Sequence, residues 1–317
     1  MKYDVITVGG ATQDVFLLTR EWKEDLGEKR ITANRGEAFH LGSKSELAGI
    51  TFDTGGGATN AAVTFARAGF RVGTVTRVGQ DPAGGHVIDA LKSNRVDTRH
   101  IVCTAKESTG YSSILLTKNG ERTVLVYRGA SHDFHWNETP WSSIQTRWLY
   151  LTSLAGDREY IVKLMRWAKA QNVRVAWNPG KAELEWGLAS LARFAPPVSV
   201  LILNKEEAAM LTGGDVGAMP FPIIVVTDGI RGASVFSADG RWHGPSIGPK
   251  AKNATGAGDA FGSAFTAGMM QWNDPIMALR LGLYNSGSVV AQMGAKTGIM
   301  KKIPEQSILK RIRVIEH

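Results

Sequence analysis

Short apolar runs alternate with stretches of helical periodicity through most of the 317 residues, and that alternation constrains the fold more than any other feature of the chain. Residues 5–8 (Val-Ile-Thr-Val) read as a buried strand that stops at Gly9-Gly10. Strands are expected again at 71–78, 147–151, 173–177, 198–203 and 223–227, and helices at 58–68, 82–93, 158–170 and 206–211. Pro82 stands near the first turn of its helix, where a missing N–H is tolerated. The chain from 258 to 270 and from 275 to 293 reads as nearly all helix. Strands that alternate with helices in this way build a mainly parallel sheet covered by helices, so the fold class is α/β. No internal repeat, low-complexity tract or long linker divides the chain, and one large domain with an appendage is expected.

Two blocks break the pattern. Residues 16–51 are charged, are interrupted by Gly27, Gly36, Gly42 and Gly49, and carry alternating pieces at 37–41 and 50–53 that read as half-exposed strands outside the main core. Residues 111–116 and 122–127 flank Lys118-Asn119-Gly120, whose Asn-Gly pair predicts a hairpin. The two blocks are expected to pair into a small separate sheet.

Composition excludes more than it assigns. A formal charge of +8 admits nucleic acid, an anionic membrane surface or an acidic ligand. The charge is dispersed, however. Its densest run, Lys301-Lys302 with Lys310, Arg311 and Arg313, falls in a C-terminal stretch that reads as an amphipathic helix with a solvated face. Without a basic stripe, neither nucleic acid nor a membrane is expected as a partner. Cys103 is the single cysteine, so no intrachain disulfide and no cysteine-based metal cluster can form. The apolar run near Met1 is too short and too early for a signal peptide, and no run approaches the ~18 residues of a membrane span. A cytoplasmic protein is expected. His132 and His135 form the one close histidine pair, lack a third ligand and read as loop surface.

The strongest chemical signal is Asn253-Ala254-Thr255-Gly256-Ala257-Gly258-Asp259-Ala260-Phe261, followed by the small-residue run Gly262-Ser263-Ala264. Glycines at a helix N-terminus let backbone N–H groups close on an anion, and the helix dipole favours negative charge there. A carboxylate beside that hole would repel a resting phosphate. Its placement makes sense if Asp259 accepts the proton of the group that attacks phosphorus. Leu201-Ile202-Leu203-Asn204-Lys205-Glu206-Glu207 puts an amide and a carboxylate on one face of a first helical turn, just past a strand. Two readings of that pair stand: Glu207 as a Mg²⁺ ligand through water, or Asn204 as a helix cap with a solvated Glu207. Val225 to Ala233 reads as a hairpin, or as a nucleotide site in which Thr227 and the amide of Gly229 face phosphates. Near the N-terminus, Asp14 follows the first strand, and Gly55-Gly56-Gly57-Ala58-Thr59-Asn60 opens a helix. Asp14 and Asn60 are suited to gripping adjacent hydroxyls, since one accepts and the other both donates and accepts. No Walker-type phosphate loop is present: Gly294-Ala295-Lys296-Thr297 lacks the glycine before its lysine. No dinucleotide fingerprint follows a strand either.

The segments Gly55 to Asn60, Gly79-Gln80-Asp81-Pro82-Ala83-Gly84, Asn204 to Glu207 and Thr255 to Asp259, in this order and spacing, resemble the ribokinase-like (PfkB) family of carbohydrate and nucleoside kinases. The resemblance runs from Val5 to about Ala295. It implies a three-layer α/β/α sandwich with a small β-sheet lid inserted at approximately 15–52 and 108–128, and ATP and Mg²⁺ as cofactors. It implies Asp259 as catalytic base, with Gly256, Ala257 and Gly258 as its anion hole. Asp14, Gly56, Gly57, Asn60 and Asn178 resemble substrate contacts. Asn204, Thr227, Gly229 and Asn285 resemble nucleotide positions, and Glu207 the Mg²⁺ position. Family members often carry Asp where this chain has Asn253, and there the Asp helps hold a monovalent cation; an amide lacks the charge, which puts that cation in question. The expected activity is phosphoryl transfer from ATP to a hydroxyl of a small sugar. A nucleoside kinase of the same family is the alternative, with the aromatics Phe16, Trp22, Phe39 and His40 as a platform for a base. A sugar or nucleotide sensor of the same fold is the non-enzymatic alternative. Lid edge strands leave a homodimer through the lid open.

Overall fold

The computed structural model describes residues 2–19, 44, 46–116, 122–248 and 255–317. Along the chain, β1 (Lys2–Val8) leads into β2 (Thr12–Thr19) and β3 (Leu47–Gly55), then α1 (Gly57–Arg67), β4 (Val72–Gly79), α2 (Pro82–Ser93), β5 (Ile101–Thr104), β6 (Gly110–Leu116) and β7 (Arg122–Tyr127). The second half runs through β8 (Gln145–Leu151), α3 (Arg158–Ala170), β9 (Arg174–Trp177), the single turns α4 (Lys181–Leu184) and α5 (Leu188–Leu191), β10 (Val198–Asn204), α6 (Lys205–Thr212) and β11 (Ile223–Thr227). It ends with β12 (Ala233–Ser237), β13 (Gly240–Gly244), α7 (Ala257–Trp272), α8 (Pro275–Val290), α9 (Gln306–Leu309) and β14 (Ile315–Glu316).

Ten strands form one sheet in the order β14-β13-β12-β11-β10-β9-β8-β1-β4-β5. From β5 to β11 every pairing is parallel, as the strand–helix alternation requires; β12, β13 and β14 extend the sheet as antiparallel edge strands. Successive strand residues point to opposite faces, and the two cores follow that period. Trp148, Tyr150, Val200 and Ile202 pack with Phe65, Phe261, Phe265 and Leu281 on the side of α1, α7 and α8. Leu149, Leu151, Leu201 and Leu203 pack with Ile161 and Leu164 of α3 on the other. Helix α2 starts with Pro82 and is capped by Asp81, whose carboxylate accepts from Gly84 N. It occupies the residues that the sequence pattern predicts, as does α3.

A separate four-stranded sheet has the order β3-β2-β6-β7. Strands β6 and β7 pair antiparallel as the predicted hairpin, and β2 joins the two irregular blocks by pairing in parallel with β6. The expected piece at 37–41 and the Lys118-Asn119-Gly120 turn lie outside the described residues, as do Trp22, Phe39 and His40. Phe16, Ile114 and Leu116 bury together as this sheet's own small core, so Phe16 is packing rather than an open platform. The basic C-terminal stretch does not form an amphipathic helix. It makes one turn, α9, and the edge strand β14, because Leu309 and Ile312 dock into the core and the chain then pairs with β13. Among the described residues no helix is long and apolar enough to cross a membrane.

Candidate active site

Helix α7 begins where the chain turns at Gly256, whose φ of 76° is left-handed. A Cβ there would lie 2.7 Å from the Cβ of Ala295, so both the backbone and the space demand glycine. The first-turn N–H groups of Ala257, Gly258 and Asp259 have no partner within the helix, and Gly258 faces open space. Donors of this kind, together with the helix dipole, are suited to hold an anion.

Two cavities meet at this helix start. One is lined by Thr227, Gly229, Ile230, Ser246, Ala257, Gly258, Phe261, Leu283, Ser286 and Val290. The other, of about 320 Å³, is lined by Gly10, Thr12, Gly56, Gly57, Val126, Arg128, Ser131, Thr152, Ser153, Asn178, Glu207 and Asp259. Residues 257 and 258 thus border the first cavity and residue 259 the second. The walls come from the carboxyl ends of β1, β8, β9, β10 and β11 and from the small sheet, the edge at which open α/β sheets bind ligands. Gly56 has φ 96°, and a Cβ on it would come within 2.6 Å of Ala11 Cα; the close approach of α1 to the turn after β1 therefore requires glycine.

Asp259 is half-buried. Its Oδ2 accepts from Asn60 Nδ2 at 2.8 Å. Burial pushes its carboxyl above the usual range, against the Asn60 bond and the charge of Lys296, which pull it down. Asn178 lines the same cavity and donates to the Ile202 carbonyl at 3.0 Å. Thr227 and Gly229 line the first cavity, whose apolar members include Ile230, Phe261, Leu283 and Val290.

Asn204 and Glu207 cap α6 reciprocally, Asn204 Oδ1 accepting from Glu207 N and Glu207 Oε2 from Asn204 N, each at 2.8 Å. The amide oxygen of Asn204 is spent on this cap, and the residue lines neither cavity; the capping reading holds for it. Glu207 does both. Its second carboxylate oxygen has no hydrogen-bond partner among the described residues, it borders the cavity of Asp259, and burial raises its pKa. That set fits Mg²⁺ held through water.

Besides Asn204, three sequence-predicted residues lie off the cavity walls. Asn285 is fully buried: its Nδ2 donates to the Ala260 carbonyl and its Oδ1 accepts from Met300 N, each at 2.8 Å, while its neighbour Ser286 lines the first cavity. Asp14 and Asn60 are buried at 4% and 3% exposure and border neither cavity. The reason is a residue passed over in the sequence, Lys296, whose buried ammonium donates to Asn60 Oδ1 at 2.7 Å and faces Asp14. Asp14 also accepts from Thr12 Oγ1 at 2.8 Å, and burial raises its pKa. One signal pointed to Lys296: a lysine set among Gly294, Ala295, Gly298, Ile299 and Met300, six residues after a helix whose single charged side chain is Arg280. Arg128 and Ser131, just after β7, and Thr152 and Ser153, just after β8, border the cavity of Asp259 and were also not singled out in the sequence. Asn253 lies outside the described residues.

A family model described as pfkB family carbohydrate kinase matches residues 26–302. A ribokinase of Staphylococcus aureus is 24% identical over 320 residues, covering 94% of this chain and 97% of its own. An adenosine kinase structure from Sinorhizobium meliloti superposes with a TM-score of 0.79 at 20% identity, covering 97% of this chain and all (100%) of that one. A sugar kinase structure from Pyrococcus horikoshii in complex with ATP superposes with a TM-score of 0.72 at 21% identity, covering 96% and 97%. With the glycine turn, the half-buried carboxyl and the two cavities beside it described, the match over residues 26–302 shows that the chain belongs to the PfkB family of carbohydrate kinases.

Proposed function

We propose that this ATP-dependent kinase transfers the γ-phosphoryl group to a hydroxyl of a small sugar, with Asp259 as general base. The observation that carries the reading is the meeting of two cavities at one helix start. The nucleotide lies in the first, its base against Ile230, Phe261, Leu283 and Val290 and its phosphates toward Thr227, Gly229 and the α7 N–H groups. The acceptor lies in the second with its hydroxyl at Asp259. Charge that develops on the moving phosphoryl group faces the amides of Ala257, Gly258 and Asp259, which are already oriented and need no reorganisation. Mg²⁺ bound through Glu207 would neutralise charge on the β- and γ-oxygens.

The acceptor cavity favours a sugar over a nucleoside. Its described lining is polar or small, and no aromatic side chain is among it. In the small sheet Gln13 pairs with Tyr111 and Tyr111 with Tyr127, one residue out of step with the row Asp14, Ser112 and Val126. They therefore sit on the opposite face from Val126, away from the acceptor. On that outer face Ile50, Phe52, Leu125 and Tyr127 are all more than half exposed, at 53%, 58%, 59% and 53%. A second copy of the chain packed lid to lid would cover them. The test of function is kcat/KM for ribose, fructose, adenosine, guanosine and cytidine. A nucleoside preferred by about a hundredfold, roughly 2.7 kcal/mol of transition-state discrimination, would overturn the sugar.

A further inference from the structure

The ammonium of Lys296, on a residue only 5% exposed, spends its three N–H groups on three acceptors: the Thr54 carbonyl at 2.5 Å, Thr59 Oγ1 at 2.9 Å and Asn60 Oδ1 at 2.7 Å. The segment that carries it is pinned from both sides. Arg67 donates to the carbonyls of Lys296 and Ile299 at 3.1 and 2.9 Å, and Asn285 accepts from Met300 N at 2.8 Å. An ammonium can only donate, so the oxygen of the Asn60 amide must face Lys296 and its NH₂ must face Asp259. Lysines are almost never buried this fully without a partner charge. Here the partners are Asp14 from β2, Asp53 from β3 and Asp259 from α7, with Arg67 from α1 opposing.

We propose that Lys296 is a positioning residue for phosphoryl transfer, holding the Asp259 carboxyl in place through Asn60 and keeping it ionised by its charge. The inference rests on the reading of Asp259 as the base. Three carboxylates and two cations, Lys296 and Arg67, share this interior; without the ammonium one cation would remain, and Asp259 would hold its proton to higher pH. Tyr150, which faces Asp259 from β8, cannot supply positive charge in either protonation state; burial raises its phenol well above the ordinary value, so it adds no negative charge either. Burial also pulls the Lys296 ammonium down to about 8, while the carboxylates pull it up.

The experiment compares the unmodified enzyme with Lys296→Met, Lys296→Gln and Asp259→Asn, reading kcat/KM against pH, ATP affinity by titration calorimetry and folding by near-ultraviolet circular dichroism. In the Lys296 variants ATP affinity is expected to hold, since Lys296 borders no nucleotide wall. The acid limb is expected to move up by about one pH unit or more, lowering kcat/KM on that limb about tenfold or more. A residue that merely filled space would not move that limb. A folded Lys296 variant whose acid limb coincides with that of the unmodified enzyme overturns the inference. Should neither variant fold, the unmodified enzyme decides: kcat/KM is expected to fall again above about pH 8 as the ammonium is lost. A profile flat to about pH 10, where an ordinary lysine titrates, overturns the proposal. Asp259→Asn separates the two ideas, because normal turnover in it refutes the base itself, whereas an inactive Asp259→Asn beside unshifted Lys296 variants refutes only the role of Lys296.

Discussion

Replacing Asp259 by Asn removes the proton acceptor and little else. The amide has nearly the same shape, and its oxygen can still accept from Asn60 Nδ2, which donates to Asp259 at 2.8 Å. General-base catalysis contributes about 10²- to 10⁴-fold, or about 2.7–5.5 kcal/mol of barrier, so kcat should fall by roughly 10²-fold or more. Folding should not suffer. Burial raises the folded-state pKa of Asp259, so the native chain holds that proton more tightly than the unfolded chain, and ionising the group lowers stability as pH rises through the folded pKa. Asp259→Asn removes that cost at neutral pH, where its Tm should equal or exceed the unmodified value; the difference should vanish in acid, where both side chains are neutral. ADP release through a coupled assay, with the best acceptor from the sugar and nucleoside panel, reads kcat, and calorimetry reads ATP binding. Near-normal turnover in a folded, ATP-binding variant would refute the mechanism.

Gly256→Ala forces a Cβ against Ala295 and a left-handed φ onto an L-residue, and should cost about 1–3 kcal/mol, seen as a lower Tm together with weaker ATP binding. Potassium titrated at fixed ionic strength should stimulate activity weakly or not at all, because Asn253 offers an oxygen but no charge; strong saturable activation would show that the amide and nearby carbonyls suffice. Light scattering should report a dimer, and Phe52→Asp with Leu125→Asp a monomer of unchanged fold; a monomeric unmodified protein would remove the lid-to-lid assembly.

How far the site was legible depends on how local its signals are. Asp259 and the proposed anion hole lie within four consecutive residues, and the glycine that α7 needs for its turn, Gly256, announces itself in sequence. The α/β class, α2, α3 and β11 were legible for the same reason, since hydrophobic period and caps are short-range. The fate of Asn204 was equally local, a capping box written as Asn-Lys-Glu-Glu, yet two chemistries share that spelling, and only the geometry showed Glu207 serving the cap while keeping an oxygen toward the cavity.

What tertiary structure alone decided is the company each polar group keeps. Asn60 and Lys296 are separated by most of the chain, and no periodicity couples a helix N-terminus to a loop after the last long helix. Only the packing of α1 against α7, with the following loop pinned by Arg67, places an ammonium beside the amide and turns Asn60 inward to Asp259. Asn285 was misassigned in the same way, because an amide spent on Ala260 and Met300 looks, in sequence, like one free to bind a ligand. A residue's type and immediate neighbours set what it can donate or accept. Which partner it meets is settled where distant segments close on one another, because a buried donor or acceptor must be satisfied by whatever the fold brings within reach.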